Sequence, residues 1–289
     1  MLGIVLAGGT GKRLWPVTRV MSKQLLPIFD KPMIFYPISL LMSANLRKII
    51  VVTNPSNLNP FSDLLGNGNQ WGIELKILPQ LKPIGIPDVF NITSHYLEDN
   101  NLLILGDNIF FGSKIGLRIH QNSQMNGCHF YGYRVSDPSN YGSFSLNEDG
   151  SIKDIEEKSL TNLKAYAIPG LYHFDRTVSD KVSKLTYSQR GELEIVDLIK
   201  MYLSESSASY TILDRGTSWL DTGTFEDLNA ASDFVRTIEE RQGLLIGSPE
   251  EVAFRKKWIN ESQLKKIVIS YEGSRYGSIL QKILEEKNE

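Results

Sequence analysis

Four short aliphatic runs, at residues 3–7, 48–53, 73–78 and 102–105, limit what this 289-residue chain can fold into more than any other feature. The first, second and fourth are apolar on both faces, as strands are when a sheet is covered on both sides; the run at 73–78 is closer to alternation. Helix-like stretches at 33–44, 60–65 and 87–97 separate them, with Pro32 and Pro87 where a first helical turn tolerates a residue lacking an N–H. Strand–helix–strand repetition with short connections predicts an α/β fold, with a mixed, mainly parallel central sheet flanked by helices in a Rossmann-like arrangement. From about residue 128 the texture changes. Residues 130–135, 142–146, 152–156 and 167–174 read as strands without helices between them, so an antiparallel portion is expected to join the sheet, with Asn147-Glu148-Asp149-Gly150 as a hairpin turn. Helical character returns after Thr224 and ends in a charged amphipathic stretch at 248–287. No obvious linker divides the chain. The expected organisation is a core over 1–240, with a distinct portion from about 128, and a C-terminal helical segment over 241–289 packed on it.

A 41% hydrophobic content in a chain of this length can bury a large core. The formal net charge of −2 gives no reason to expect nucleic acid or an anionic membrane as partner, so any bound anion must be held by a local cluster of cations. The single cysteine, Cys128, cannot form an internal disulfide, and no Cys/His spacing suggests zinc; it reads as core packing. The apolar run at 1–7 has no basic lead and is too short for a signal core or a membrane span, and no other run reaches spanning length. A soluble, cytoplasmic protein is expected.

The strongest local signal is Leu6-Ala7-Gly8-Gly9-Thr10-Gly11-Lys12-Arg13-Leu14, directly after the first strand. Glycines there let backbone N–H groups approach an anion that side chains would otherwise keep away. Two familiar glycine motifs fail. A Walker A loop needs glycine where Leu6 stands and Ser or Thr where Arg13 stands, and a dinucleotide fingerprint starting at Gly9 needs a small residue at Leu14. Lys12, Arg13, Arg19 and Lys23 follow within a dozen residues, which in a near-neutral protein points to a phosphate-rich ligand.

Gly8-Gly9-Thr10-Gly11-Lys12-Arg13-Leu14, Ser22-Lys23-Gln24-Leu25-Leu26-Pro27 and Asp30-Lys31-Pro32-Met33 together resemble the signature of the nucleoside-diphosphate-sugar pyrophosphorylases, and most of all the short glucose-1-phosphate thymidylyltransferases. The resemblance continues through Leu105-Gly106-Asp107-Asn108, Tyr141-Gly142, Glu156-Glu157-Lys158, Arg190-Gly191-Glu192-Leu193-Glu194-Ile195 and Trp219-Leu220-Asp221-Thr222-Gly223-Thr224, in order and over nearly the whole chain. Uridylyltransferase relatives typically read Lys-Glu-Met-Leu-Pro where this chain has Lys23-Gln24-Leu25-Leu26-Pro27.

The resemblance implies that Leu6, Gly8, Gly9, Thr10, Gly11 and Lys12 line the nucleotide, with Arg13 and Lys23 on its phosphates. It implies that Gln24 and Gln80 hydrogen-bond a pyrimidine and that Gly85 lets the base approach the backbone. Asp107 and Asp221 are implied as Mg2+ ligands, Lys158 as a contact to the sugar phosphate, and Tyr141, Gly142, Glu157, Ile168, Tyr172 and Arg190 as the sugar side. Arg190 could equally pair with Glu192 or Glu194 at the surface. The implied reaction joins dTTP and glucose 1-phosphate, and the implied assembly is a homotetramer whose second nucleotide site would involve Phe111, Gly112, Glu250 and Arg255.

Two places depart from the family pattern. Lys12 replaces the usual threonine. In the segment at 80–89, Leu81 and Ile84 replace proline and aspartate, and Gly85-Ile86-Pro87-Asp88-Val89 replaces Gly-Leu-Ala-Gln-Ala. Asp88 either complements a helix dipole at a helix start or faces the sugar and favours an amino sugar 1-phosphate. The alternatives are therefore UTP or another hexose 1-phosphate in the same reaction and, from a different class, a nucleotide-sugar sensor without turnover.

Overall fold

The computed structural model describes residues 1–122, 126–158 and 165–286. Seven strands form the central sheet, in the order Ala208–Ile212, Cys128–Gly132, Leu171–Asp175, Asn100–Leu105, Leu2–Ala7, Lys48–Thr53 and Glu74–Pro79. The last four are mutually parallel, Leu171–Asp175 runs antiparallel to both its neighbours, and Ala208–Ile212 is parallel to Cys128–Gly132. The fold is thus mixed and mainly parallel in its first half, as the alternating runs predict.

Period-two alternation explains why those runs look apolar throughout. Val5, Ile49, Val51, Leu102 and Ile104 face one core with Phe35, Leu41 and Trp71. Ile4, Ile50, Val52 and Leu103 face the other with Phe90, Leu198 and Tyr202. Each such side chain contributes roughly 1.5–3 kcal/mol by leaving water. Cys128 is buried in the second core, and burial pushes its thiol pKa up, in keeping with a packing role.

The antiparallel expectation holds in part. Cys128–Gly132 and Leu171–Asp175 join the main sheet, but Ile152–Glu157, Gly142–Leu146 and Tyr166–Ala167 form a separate three-stranded sheet. The expected strand at 167–174 is broken at Pro169-Gly170, where proline offers no ladder N–H; Gly170 O still accepts from Leu105 N, at an approach to the Leu105 side chain that leaves no room for a side chain of its own. Pro32 is not in a first helical turn. Met33 N donates to Leu26 O and Ile34 N to Gln24 O, so the chain folds back on itself and the helix begins only at Phe35.

The long helix Phe225–Gln242 starts at a reciprocal cap between Thr224 and Asp227 and stops at Gly243, which takes φ 68°. The helices Pro249–Arg255, Glu261–Ser270 and Arg275–Glu285 bury Phe254, Leu264 and Tyr276 in the same core as Phe35. Glu250, expected beside a second nucleotide site, is 1% exposed and accepts hydrogen bonds from the Tyr271 and Tyr276 hydroxyls. Phe111 packs edge-on against Phe234, and Arg255 pairs with Glu251. Among the described residues, no helix is long and apolar enough to cross a membrane.

Candidate functional site

The parallel strands deliver their carboxyl ends to one edge, where open α/β sheets bind ligands. Leu2–Ala7 runs straight into Gly8, whose missing side chain leaves room for Gln80: a Cβ there would sit 2.1 Å from the Gln80 Oε1. The Thr53 hydroxyl donates to Ala7 O, and Gln80 N donates to Thr53 O, tying three adjacent strand ends together. Gly11 adopts the left-handed conformation that turns the loop, and the Thr18 hydroxyl donates to its carbonyl. Leu6 closes the strand by accepting from Gly106 N, while Thr10, Lys12 and Arg13 are exposed on the loop. A cleft of ≈ 350 Å3 opens beside the loop, lined by Gly9, Thr10, Arg19, Lys23 and Asn54.

Asp107 follows the strand Asn100–Leu105, and Asp221 ends Ser218–Asp221, whose antiparallel pairing with Asn108–Phe111 sets Asp221 opposite Asn108. Lys23, itself buried, places its Nζ 2.8 Å from Asp107 Oδ2. Burial, and then the Asp107 charge, push the Asp221 carboxyl up to about 6, while Lys23 and Arg13 act in the opposite direction. Arg13 is held over Gly223, two residues past Asp221, where a Cβ would come within 2.9 Å of its guanidinium. Four residues far apart in sequence thus share one small electrostatic neighbourhood of two carboxylates and two cations.

Asn108 has a part that motif reading did not assign. Its Oδ1 accepts from Trp219 Nε1 at 2.6 Å and from Gly170 N at 3.1 Å, which fixes the amide so that Nδ2 donates to Asp107 Oδ1 at 3.0 Å. Thr222 adds a hydroxyl hydrogen bond to Asp107 O. Only the long-range partners reveal these roles; the adjacent positions in Gly106-Asp107-Asn108 and Asp221-Thr222-Gly223 were the available signal.

On the other side of Trp219 lies Tyr141, with ring centroids 4.9 Å apart. Lys158 N donates to Tyr141 O, and Ile168 N donates to Gly142 O, so the small sheet gathers Tyr141, Gly142, Glu157, Lys158 and Ile168. Gly142 leaves space for the Glu157 carboxylate, whose pKa is raised by burial and by Glu194 against the pull of Arg190. Arg190 binds Glu194 at 2.7 Å and Glu157 at 3.1 Å, so its guanidinium braces the Glu157 carboxylate. Tyr172 is buried in the sheet behind Glu157. Gly85, at φ 122°, pairs with Leu193 so closely that no side chain fits, joining the segment at 80–89 to the one carrying Arg190.

Asp88 opens the helix Asp88–Ile92 and has both carboxylate oxygens engaged by amides: Gln80 Nε2 donates to Oδ2 and Asn91 Nδ2 to Oδ1, each at 3.4 Å.

Residues 2–238 match the family model described as nucleotidyl transferase. The chain is 44% identical over 288 residues to the glucose-1-phosphate thymidylyltransferase of Mycolicibacterium smegmatis, covering 99% of this chain and 100% of that one. It is 41% identical over 288 residues to the glucose-1-phosphate thymidylyltransferase of Neisseria meningitidis, with the same 99% and 100% coverage. A Bacillus anthracis structure assigned as a glucose-1-phosphate thymidylyltransferase, in complex with sucrose, is similar at TM-score 0.75 and 32% identity, over 82% of this chain and 96% of that one. A UDP-glucose pyrophosphorylase complexed with UDP-glucose shares the fold at TM-score 0.69 and 20% identity, over 82% of this chain and 98% of that one. The chain belongs to the nucleotidyl transferase family, with glucose-1-phosphate thymidylyltransferases as its similar members.

Proposed function

We propose that the site transfers the thymidylyl group of dTTP to glucose 1-phosphate, giving dTDP-glucose and pyrophosphate, with Mg2+ held by Asp107 and Asp221. The observation that carries this reading is the convergence of Lys23, Asp107 and Asp221 beside the glycine loop. The names of its similar relatives support the choice of substrates. Two carboxylates close enough for one to raise the other, with lysine the cation at hand, make a hard-oxygen donor set that suits Mg2+. When bound, the ion would neutralise charge on the phosphate oxygens as the reaction proceeds.

The chain's own residues would do the rest. A phosphate oxygen of the sugar forms a bond to the α-phosphorus of dTTP, and the bond from that phosphorus to the bridging oxygen breaks, its electron pair leaving with pyrophosphate. A phosphate monoester has a second pKa near 6, so the nucleophile needs no general base at neutral pH. The task is to align two anions and offset their repulsion. Arg13 and Lys23 supply fixed positive charge at the triphosphate, and the glycine loop supplies backbone N–H groups. Lys158 supplies positive charge at the sugar phosphate. Glu157, braced by Arg190, supplies an acceptor for sugar hydroxyls.

The test is a matrix of nucleoside triphosphates against hexose 1-phosphates, read by pyrophosphate release. Greatest kcat/KM is expected for dTTP with glucose 1-phosphate, and only with Mg2+ present. Preference for UTP or for an amino sugar 1-phosphate would reassign the substrates, and binding without pyrophosphate release in every combination would leave a sensor.

A further inference from the structure

Two glutamines bracket the start of the glycine loop. Gln24 lies against Gly106, and Gln80 lies against Gly8. Both are only 3% exposed, so neither amide is free to choose its orientation from bulk water. A primary amide has two faces of opposite polarity, a carbonyl that only accepts and an NH2 that only donates, and its local partners decide which face points into a site.

For Gln80 the deciding partner is Asp88. An ionised carboxylate can only accept, so it pairs with the NH2 end of Gln80, and the contact runs from Nε2 to Asp88 Oδ2. The carbonyl oxygen is thereby turned towards Gly8, in the loop proposed to hold the nucleotide. Asp88 is itself steadied by Asn91 and by its place in the first turn of a short helix. Gln24 is oriented the opposite way. The Ser22 hydroxyl donates to its Oε1 at 2.6 Å, which directs the NH2 end away from Ser22.

We propose that Asp88 is a specificity-determining positioning residue: it locks Gln80 with its carbonyl towards the base, so that the site reads the imide of thymine or uracil. That edge offers one N–H donor flanked by carbonyl acceptors, and it matches an acceptor from Gln80 and a donor from Gln24. Cytosine presents an unprotonated ring nitrogen and an amino group at the same edge, which sets acceptor against acceptor at Gln80. A buried polar group left facing the wrong partner is what makes such discrimination steep. This inference rests on the proposed reaction and extends it to the polarity of the base contact. It also accounts for Asp88 without an amino sugar, since both of its oxygens are engaged by amides.

The experiment compares kcat/KM for dTTP and dCTP, with glucose 1-phosphate as acceptor, in the wild type, Asp88→Asn and Asp88→Glu. Asparagine can pair with either end of an amide, so Asp88→Asn frees Gln80 to flip. The dTTP-to-dCTP ratio is expected to fall about tenfold or more, through a higher KM for dTTP and gained turnover of dCTP. Asp88→Glu keeps an acceptor-only group and is expected to hold the ratio nearer the wild type than Asp88→Asn does. A residue that merely starts a helix would alter melting temperature and leave the base ratio alone. An unchanged ratio in Asp88→Asn, or an equal collapse in Asp88→Glu, overturns the proposal. A wild type that turns over neither dTTP nor UTP overturns the proposed reaction itself, and this inference with it.

Discussion

Lys31 Nζ lies 2.8 Å from Glu239 Oε1, an ion pair across 208 residues of chain in which the lysine side chain is 1% exposed and the glutamate 0%. Asp30 lies 2.6 Å from the same ammonium, and Arg275, from the last helix, reaches both Asp30 and Glu239 at 3.9 Å. The rings of Tyr36 and Tyr276 stand about the lysine at 5.2 and 5.5 Å. Lys31, Asp30 and Glu239 inside the protein, with the more exposed Arg275 at their edge, therefore join the segment after Pro27, the long helix and the C-terminal helix.

Removing one member strands the others. Lys31→Met is expected to cost about 3–5 kcal/mol, because it leaves the carboxylates of Asp30 and Glu239 with only the more exposed Arg275, 3.9 Å away, to balance them. The double change Lys31→Met with Glu239→Leu should cost clearly less than the sum of the two single changes. Urea unfolding of the four proteins checks both statements, and additive losses would show that the pair is not energetically coupled.

Much of this fold was legible because apolar periodicity is a local property. The runs at 48–53 and 102–105 lie within the strands Lys48–Thr53 and Asn100–Leu105, and the hairpin at 147–150 closes through Gly150 N donating to Asn147 O. What was not legible depends on partners distant in sequence. Nothing near Pro32 announces that Met33 will pair back with Leu26, and nothing near Lys31 announces Glu239. The motif Gly106-Asp107-Asn108 drew attention to Asp107, but the reason for Asn108 lies at Trp219. The sequence leaves Arg190 between the sugar side and a surface ion pair with Glu192 or Glu194. Its strongest partner is Glu194, and its link to Glu157 crosses between two segments whose approach only the fold determines.

That Asn108 arrangement gives a second prediction. Asn108→Asp keeps an acceptor for Trp219 Nε1 and Gly170 N but replaces the donor to Asp107 with a second carboxylate. The variant is expected to fold and to lose about 10–100-fold in turnover or in apparent metal affinity, the usual effect of losing a partner that orients a ligand. Asn108→Leu should instead be destabilising, by about 1–3 kcal/mol for each buried donor left without an acceptor. Kinetics against Mg2+ concentration, set beside melting curves, separate the two. Wild-type kinetics in Asn108→Asp would refute the positioning role.

His129 and His173 face each other in register on neighbouring strands, both buried, and burial lowers their pKa values to about 4 and about 3. An unfolded histidine titrates near 6.5, so over the interval from about 6.5 down to about 4 the unfolded chain binds more protons than the folded one. The stability supplied by neutral burial is whole above that interval and is lost as the pH falls through it, at up to about 1.4 kcal/mol per pH unit for each ring. Raised carboxyls such as Glu157, Glu239 and Glu250 oppose this, since the fold protonates them first. A comparison therefore isolates the ring. His173→Phe should be less stable than the wild type near neutrality, where the Tyr131 hydroxyl loses a partner, and the gap should narrow towards about pH 5. Urea midpoints at several pH values decide this, and a constant gap would show that the buried ring does not govern acid sensitivity.

The last prediction concerns the two carboxylates themselves. Asp107 and Asp221 reach each other through the pairing of Asn108–Phe111 with Ser218–Asp221, and each backbone is separately secured, Asp107 by Thr222 and Asp221 by its ladder partner. Amide replacements of similar shape should therefore fold. Asp107→Asn removes the negative charge that Lys23 now balances at 2.8 Å, and Asp221→Asn removes the other half of the proposed donor set. The charge they offset grows during the reaction, so kcat is expected to fall further than substrate binding weakens. A lost ligand should exceed the roughly 10–100-fold effect of a lost orienting partner. Chelation of Mg2+ should silence the wild type, and excess Mg2+ should restore it fully but rescue Asp107→Asn only in part. Steady-state kinetics with titrated Mg2+, alongside thermal melts, provide the check. Near-normal kcat in either folded variant would remove that aspartate from the metal site.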